Sequence, residues 1–190
     1  MSTVPEIVRT ERLRLRRPRV QDAAAVFEYA SDPEVARYAD WPRALTVAEI
    51  EDRIASRGPA WDSAEEFFWL VTLSGDERPI GGASLCAKGH AAEFGYLLAR
   101  AHWRQGLGTE IARALVALAF SLPEVRRVSA TCDAENVASA RVLEKCGLVR
   151  TALLRSATVR PNISSEPRDT LRYVLTRDDW TSSRAHDARG

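Results

Sequence analysis

Trp103-Arg104-Gln105-Gly106-Leu107-Gly108-Thr109 decides how this chain is read, because a glycine-rich turn runs straight into an amphipathic stretch. Two glycines within three residues let the backbone come close to a ligand. Ile111, Leu115, Leu118, Ala119 and Leu122 then recur at helical spacing until Pro123. The turn therefore opens a helix whose first N–H groups lack partners and carry the positive end of the helix dipole. Such a turn suits phosphate oxygens. Two better-known phosphate loops do not fit. Gly108 is not followed by Lys-Ser/Thr, and Ile111 stands where a dinucleotide fingerprint needs a small third residue. Taken alone, Gly106-x-Gly108 reads equally well as a turn without a ligand.

Outward from this turn, three strand-like runs precede it: Phe67 to Leu73, Ile80 to Leu85 and Glu93 to Ala99. The turn-type sequences Ser74-Gly75-Asp76 and Lys88-Gly89-His90 separate them, which predicts an antiparallel meander. Beyond the helix, Val125 to Cys132 reads as a strand and completes a β-α-β crossover. A short helix follows from Ala138 to Cys146, with Gly147 as its left-handed cap. Two more strands are expected at Leu148 to Ala157 and Thr170 to Thr176, around a loop from Arg160 to Arg168 that holds Pro161, Asn162 and Pro167. At the other end, Arg12-Leu13-Arg14-Leu15-Arg16 alternates like a half-buried strand. Asp22 is placed to cap a helix carrying Val26 and Phe27. Thr46 with Glu49 forms a capping box for a helix carrying Ile50 and Ile54, expected to stop at Gly58-Pro59. The fold class is α/β, in the α+β sense: a mixed, mostly antiparallel sheet of about seven strands. One domain over residues 1–180 is expected, followed by a polar tail, 181–190, expected to be disordered.

The 190 residues, 45% of them hydrophobic, suffice for one domain with a sizeable core. A balance of 27 basic and 26 acidic side chains leaves a net charge of +1, which argues against a general nucleic-acid or membrane-surface binder. Cys86, Cys132 and Cys146 are odd in number and lie in apolar runs, as reduced packed thiols do, so the expected location is cytoplasmic. No segment approaches the ~20 apolar residues of a membrane span. No paired Cys/His/Asp motif suggests a metal site, and His90, His102 and His186 stand in no triad spacing to a Ser or Cys.

Glu93-Phe94-Gly95-Tyr96-Leu97-Leu98, the glycine turn, Asn136-Val137-Ala138-Ser139 and Leu143-Glu144-Lys145-Cys146-Gly147-Leu148, in this order, resemble the GNAT superfamily of N-acetyltransferases. The opening Thr10-Glu11-Arg12-Leu13-Arg14-Leu15-Arg16 and the closing Asp178-Asp179-Trp180 resemble its branch typified by the RimJ/RimL ribosomal-protein N-terminal acetyltransferases. The resemblance implies a fold with helices on both faces of the sheet and a splay between strands four and five, in which the pantetheine arm of acetyl-CoA lies. It assigns the thioester end to backbone groups at Leu98, the pyrophosphate to Arg104, Gln105, Gly106, Leu107, Gly108 and Thr109, and the pantetheine to Asn136. Where many members carry a Tyr that protonates the departing thiolate, this chain has Leu143.

An amine attacks a thioester only when unprotonated, so a base or a water relay is needed at neutral pH. Glu93 stands where several superfamily members carry that base; its alternative reading is a solvent-facing carboxylate. Ser139 is repeated in the branch and is the candidate donor to the thiolate; its alternative is an ordinary first-turn helix residue. With no paired nucleophile in the sequence, the expected reaction is direct acetyl transfer from acetyl-CoA to a primary amine. The acceptor is a protein N-terminal α-amino group or a small cationic amine, with an aminoglycoside-type antibiotic fitting the same chemistry. Asp32, Glu34, Asp40, Glu49, Glu51, Asp52, Glu65 and Glu66 favour a cation on the acceptor side, where Trp41 is also expected, and a solvated helix face explains these charges equally well. The rival class is a non-catalytic acyl-CoA-binding module. A homodimer stays open.

Overall fold

The computed structural model describes residues 4–64 and 66–187, and backbone only for 185–187. In chain order the elements are β1 (Ile7–Arg9), β2 (Leu13–Arg16), α1 (Ala23–Ala30), α2 (Pro33–Ala36), α3 (Val47–Asp62), β3 (Phe67–Leu73), β4 (Pro79–Lys88) and β5 (Ala91–Leu98). Then come α4 (Leu107–Ser121), β6 (Arg127–Asp133), α5 (Val137–Lys145), β7 (Val149–Arg160), β8 (Ser164–Thr176) and α6 (Arg177–Asp187). All eight strands join one sheet in the order β1-β2-β3-β4-β5-β6-β8-β7, antiparallel except for β5 and β6. The expected meander and crossover are both present. The eighth strand is β1, whose Ile7 and Val8 pair with Arg16 and Leu15. Its three residues were too short a pattern to read from sequence.

Period-two alternation sends side chains to two cores. Trp69 and Val71 of β3 join Leu13, Leu15, Leu85, Phe94 and Val128 under the apolar stripe of α4, in which Ile111, Leu115 and Ala119 are wholly buried. Leu70 turns the other way, into a second cluster with Val26, Tyr29, Ile50 and Ile54 of α1 and α3. Helices therefore cover both faces.

Four local expectations are corrected. Asp22 precedes α1 but makes no cap bond. Its carboxylate accepts both Nη groups of Arg16, at 2.8 and 2.7 Å, in a pair 3% and 7% exposed that locks β2 to α1. The helix begun at Thr46 runs through Gly58-Pro59 to Asp62, because Trp61 packs edge-on to Phe67 and Trp69 at 5.2 Å and holds the last turn down. Between Arg160 and Arg168 there is no open loop. β7 and β8 continue as a long hairpin with a tight tip, closed by the Ile163 N–H donating to the Arg160 carbonyl at 2.8 Å. Finally, α6 carries helix across most of the polar tail, anchored by Trp180 against Phe120 at 5.0 Å; residues 188–190 lie outside the described ones. Among the described residues, no helix is long and apolar enough to cross a membrane.

Candidate functional site

β5 and β6 pair over only three rungs, Ala91↔Arg127, Ala92↔Val128 and Glu93↔Ser129, and then part. Because β1 was not foreseen, these are the fourth and fifth strands of the sequence reading, so the splay is where it was expected. On its other side β5 stays fully paired with β4 to Leu98. The Ala99 N–H donates to the Ile80 carbonyl at 2.8 Å, so ladder alternation turns the N–H groups of Tyr96 and Leu98 away from β4 and toward the gap. The Leu98 carbonyl is already taken: the Trp103 indole Nε1–H donates to it at 2.8 Å. Leu98 therefore offers the gap a donor and no acceptor.

The glycine turn closes one end of this gap. Arg104 and Gly106 have φ of +60° and +79°, and the left-handed step at Gly106 starts α4. Glu110 is the first residue whose N–H bonds back within the helix, to the Gly106 carbonyl at 3.1 Å, which leaves the Leu107, Gly108 and Thr109 N–H groups pointing out of the helix start. The Leu107 side chain is buried in the core, so only its backbone is available. A latch from the β1–β2 connection fixes the turn. The Arg12 Nε donates to Glu110 Oε2 at 2.7 Å, Arg12 Nη1 to the Gln105 carbonyl at 3.0 Å, and Thr10 Oγ1 to Glu110 Oε1 at 2.5 Å. These contacts, the strongest of them from Thr10, hold the Glu110 carboxyl below its usual range despite partial burial. Thr10 was read only as part of a branch resemblance and Arg12 besides as the start of a strand; their contacts join residues about a hundred positions apart, which no local pattern displays. Beside the latch lies a cleft of about 430 Å³ that Arg9, Arg12 and Arg113 flank.

Asn136 is spent on α5: its Oδ1 accepts the Ser139 N–H at 3.1 Å as the helix cap. Ser139 is brought to the gap, where its hydroxyl meets a residue the sequence reading passed over. Tyr96 reaches from β5 toward α4 and α5. A Cβ on Gly108 would sit 3.2 Å from the Tyr96 ring and 3.7 Å from Val142, so Gly108 is what lets strand, turn and helix meet. Burial pushes the Tyr96 phenol up to about 12, against the pull of its contact with Ser139. It stays protonated at any ordinary pH. Leu143, in contrast, is 1% exposed and belongs to the core. The Gly95-Tyr96 pair in the quoted motif was the available signal for Tyr96.

Glu93 occupies the last rung before the strands part; its side chain is exposed and has no ion-pair partner among the described residues. Register places Glu93 on the same sheet face as Asp133, the face toward α1 and α3. Asp133 is 1% exposed, and its carboxylate is held well below the usual range, first by Arg168 and then by the Glu135 N–H, against desolvation. The hairpin tip closes this side. The Asn162 Nδ2 donates to the Ala36 and Trp41 carbonyls at 2.8 and 2.9 Å, and its Oδ1 accepts the Arg43 N–H at 2.8 Å. Trp41 is thus fixed beside the hairpin. The expected acidity is partly neutralised: Asp32 pairs with Arg100, Glu49 with Arg53, and Glu66 with Arg57, whereas Glu34, Asp40, Glu51 and Asp52 have no ion-pair partner among the described residues and Glu65 lies outside them. No cluster of metal-binding side chains occurs among the described residues.

The acetyltransferase (GNAT) domain family matches residues 12–149. The Bacillus subtilis (strain 168) uncharacterized N-acetyltransferase YoaA is 28% identical over 174 residues, covering 90% of this chain and 97% of its own. An acetyltransferase (GNAT family) from Bacillus anthracis has a crystal structure with a TM-score of 0.78 at 25% identity, over 90% of this chain and 99% of its own. RimL, a ribosomal L7/L12 alpha-N-protein acetyltransferase in complex with coenzyme A, also gives 0.78, at 18% identity over 93% and 98% of the two chains. At that identity the likeness is one of fold.

Proposed function

Given that the chain belongs to the GNAT acetyltransferase family and is an acetyl-CoA-dependent N-acetyltransferase, we propose that its acceptor is an α-amino group at a protein N-terminus, as in the RimJ/RimL branch. The observation that carries the cofactor side is the parting of β5 from β6 after Glu93, with free N–H groups of Tyr96 and Leu98 facing the gap and the free helix start of α4 at its end. The fit is chemical: a row of backbone donors suits an amide-containing arm, and the N–H groups of Leu107, Gly108 and Thr109 suit phosphate oxygens. The Arg9, Arg12 and Arg113 cleft supplies the remaining positive charge.

In this reading acetyl-CoA supplies an activated acyl carbon at the Leu98 end of the gap. Glu93, directly or through one water, takes the proton of the amine as the C–N bond forms. The Leu98 N–H meets the negative charge that develops on the carbonyl oxygen. Ser139, supported by Tyr96, donates to the sulfur as the C–S bond breaks. A phenol held near 12 is too weak an acid to give its proton to a thiolate of pKa near ~8.5 outright, so Tyr96 acts as a fixed polar neighbour that orients the Ser139 hydroxyl. The experiment is thiol release from acetyl-CoA across N-terminal peptides, polyamines and aminoglycosides. Peptides are expected to lead. Polyamines or aminoglycosides outrunning every peptide would overturn the acceptor assignment. Acetyl-CoA binding without thiol release for any amine would instead indicate a binding module.

A further inference from the structure

Arg160, the last residue of β7, is 7% exposed, yet its buried Nε has no hydrogen-bond partner, and no bond or ion pair to any of its guanidinium nitrogens is found among the described residues. Arg14 and Arg16 also carry a buried Nε without a hydrogen-bond partner, but an Nη of Arg14 is spent on Glu77 and both Nη groups of Arg16 on Asp22. In Arg160 the Nε alone is wholly removed from water, and neither Nη is spent on a partner among the described residues, whereas buried arginines are normally paired. The carboxylate on which the Arg160 charge acts is Asp133, but that group is already engaged by Arg168 Nε and Nη2, at 2.8 and 3.2 Å, and by the Glu135 N–H at 2.9 Å.

Its place in the fold is specific. Continuing the β5–β6 register past Glu93↔Ser129 sets Cys132 across the gap from Tyr96, and Asp133 across from Leu97. The sheet order sets β7 beyond β8 from β6, and Arg160 pairs with Ser164, past the Asp133↔Thr170 rung where β6 ends, so it stands beyond the C-terminal end of β6, where its charge acts on Cys132 and Asp133. The tip that follows it is pinned by the three Asn162 bonds, so the guanidinium is carried on a fixed strand end. Glu93 lies toward the narrow end, on the face it shares with Asp133.

We propose that Arg160 anchors a carboxylate borne by the acceptor close to its amine. The planar guanidinium matches a carboxylate in a two-bond fork. With Glu93 toward the amine and Arg160 toward the acid, a molecule carrying both charges is oriented head and tail. The chemistry is shared by two sources, an acidic first residue of a peptide and a free amino acid. This rests on the acetyl-transfer reading and narrows its acceptor.

The test compares peptides beginning with Asp or Glu against the same peptides beginning with Asn or Gln, and free aspartate and glutamate against their amides, for wild type, Arg160→Met and Arg160→Lys. Wild type is expected to favour the acid over its amide in kcat/KM by on the order of tenfold to a hundredfold. Arg160→Met should bring the ratio near one, and Arg160→Lys should keep part of it, with acetyl-CoA affinity unchanged in both. Peptide arms alone showing the effect would identify the source as an N-terminus; free amino acids alone would identify a small molecule. Equal rates for acid and amide in wild type, or a preference that survives Arg160→Met, would overturn the proposal. Should no amine turn over, the acetyl-transfer reading fails separately, and thermal shifts with coenzyme A plus N-acetyl-aspartate or N-acetyl-asparagine read the same contrast. A wild-type preference for the acid, lost in Arg160→Met, would then support the anchor, and no preference would sink it.

Discussion

Glu93 and Tyr96 lie three residues apart on β5 and point to opposite faces of the sheet, one toward the acceptor side and one toward α4 and α5. Under the proposed mechanism that split sets the two proton tasks on different sides of the gap. Glu93→Gln is expected to lower turnover by roughly 10² to 10⁴ at neutral pH while acetyl-CoA affinity holds. The loss should vanish as pH rises past the pKa of the acceptor, near ~8 for an α-amine and ~10.4 for a lysine-like one, so the pH at which variant and wild-type rates converge also reports the acceptor. Equal turnover at pH 7 would remove Glu93 from the chemistry. Tyr96→Phe should reduce kcat by about tenfold and leave KM for acetyl-CoA alone, since the ring stays and only the polar contact with Ser139 is lost. A raised KM with unchanged kcat would instead make Tyr96 a packing residue of the gap. Glu93 could be proposed from sequence because its position in the motif and its chemical type both marked it. Tyr96 could not, because its partners Gly108 and Ser139 come from two other elements.

Two elements position the site, the start of α4 and the β7–β8 hairpin, and they fail differently. Gly106 sits at φ +79°, where any side chain is strained, and Gly108 has the Tyr96 ring 3.2 Å from where its Cβ would be. Gly108→Val is therefore expected to push α4 off β5 and to abolish the rise in Tm that acetyl-CoA gives wild type. A folded Gly108→Val protein with unchanged affinity in calorimetry would remove the turn from the binding site. The hairpin depends on one side chain. Asn162→Ala strands two carbonyls and an N–H, which should cost about 1–3 kcal/mol and raise KM for the acceptor far more than KM for acetyl-CoA. The reverse split would show that the tip does not cover the acceptor side. Periodicity foretold α4 almost residue for residue, whereas the hairpin was taken for a loop because Pro161, Asn162 and Pro167 are turn formers wherever they occur.

Across the whole molecule, protons are held more tightly folded than unfolded at alkaline pH. Burial pushes the Cys132 and Cys146 thiols up to about 11 from 9.0, and Tyr96 and Tyr173 up to about 12 from 10.0. For each, the stabilisation is complete below the unfolded value and is lost as pH climbs toward the folded one. Tm should thus fall between about pH 9 and 11, before Tyr96 or Tyr173 ionises in the folded protein, and Cys132→Ala should flatten that fall. A Tm that stays level to pH 11 would contradict the burial of these thiols. The sequence by itself determined the order of strands and helices, the meander and crossover, and the glycine turn, because these follow from apolar period, turn chemistry and spacing within some thirty residues. It also supplied the family through the spacing of several motifs. Tertiary structure alone decided what each polar group would bond to. Asp22 went to Arg16 and not to the cap of α1, Arg12 to Glu110, Asn162 to the α2–α3 connection, and the Arg160 guanidinium to no partner among the described residues. Such pairings are chosen when distant elements pack and water is excluded, so a buried charge takes whatever neighbour the fold delivers.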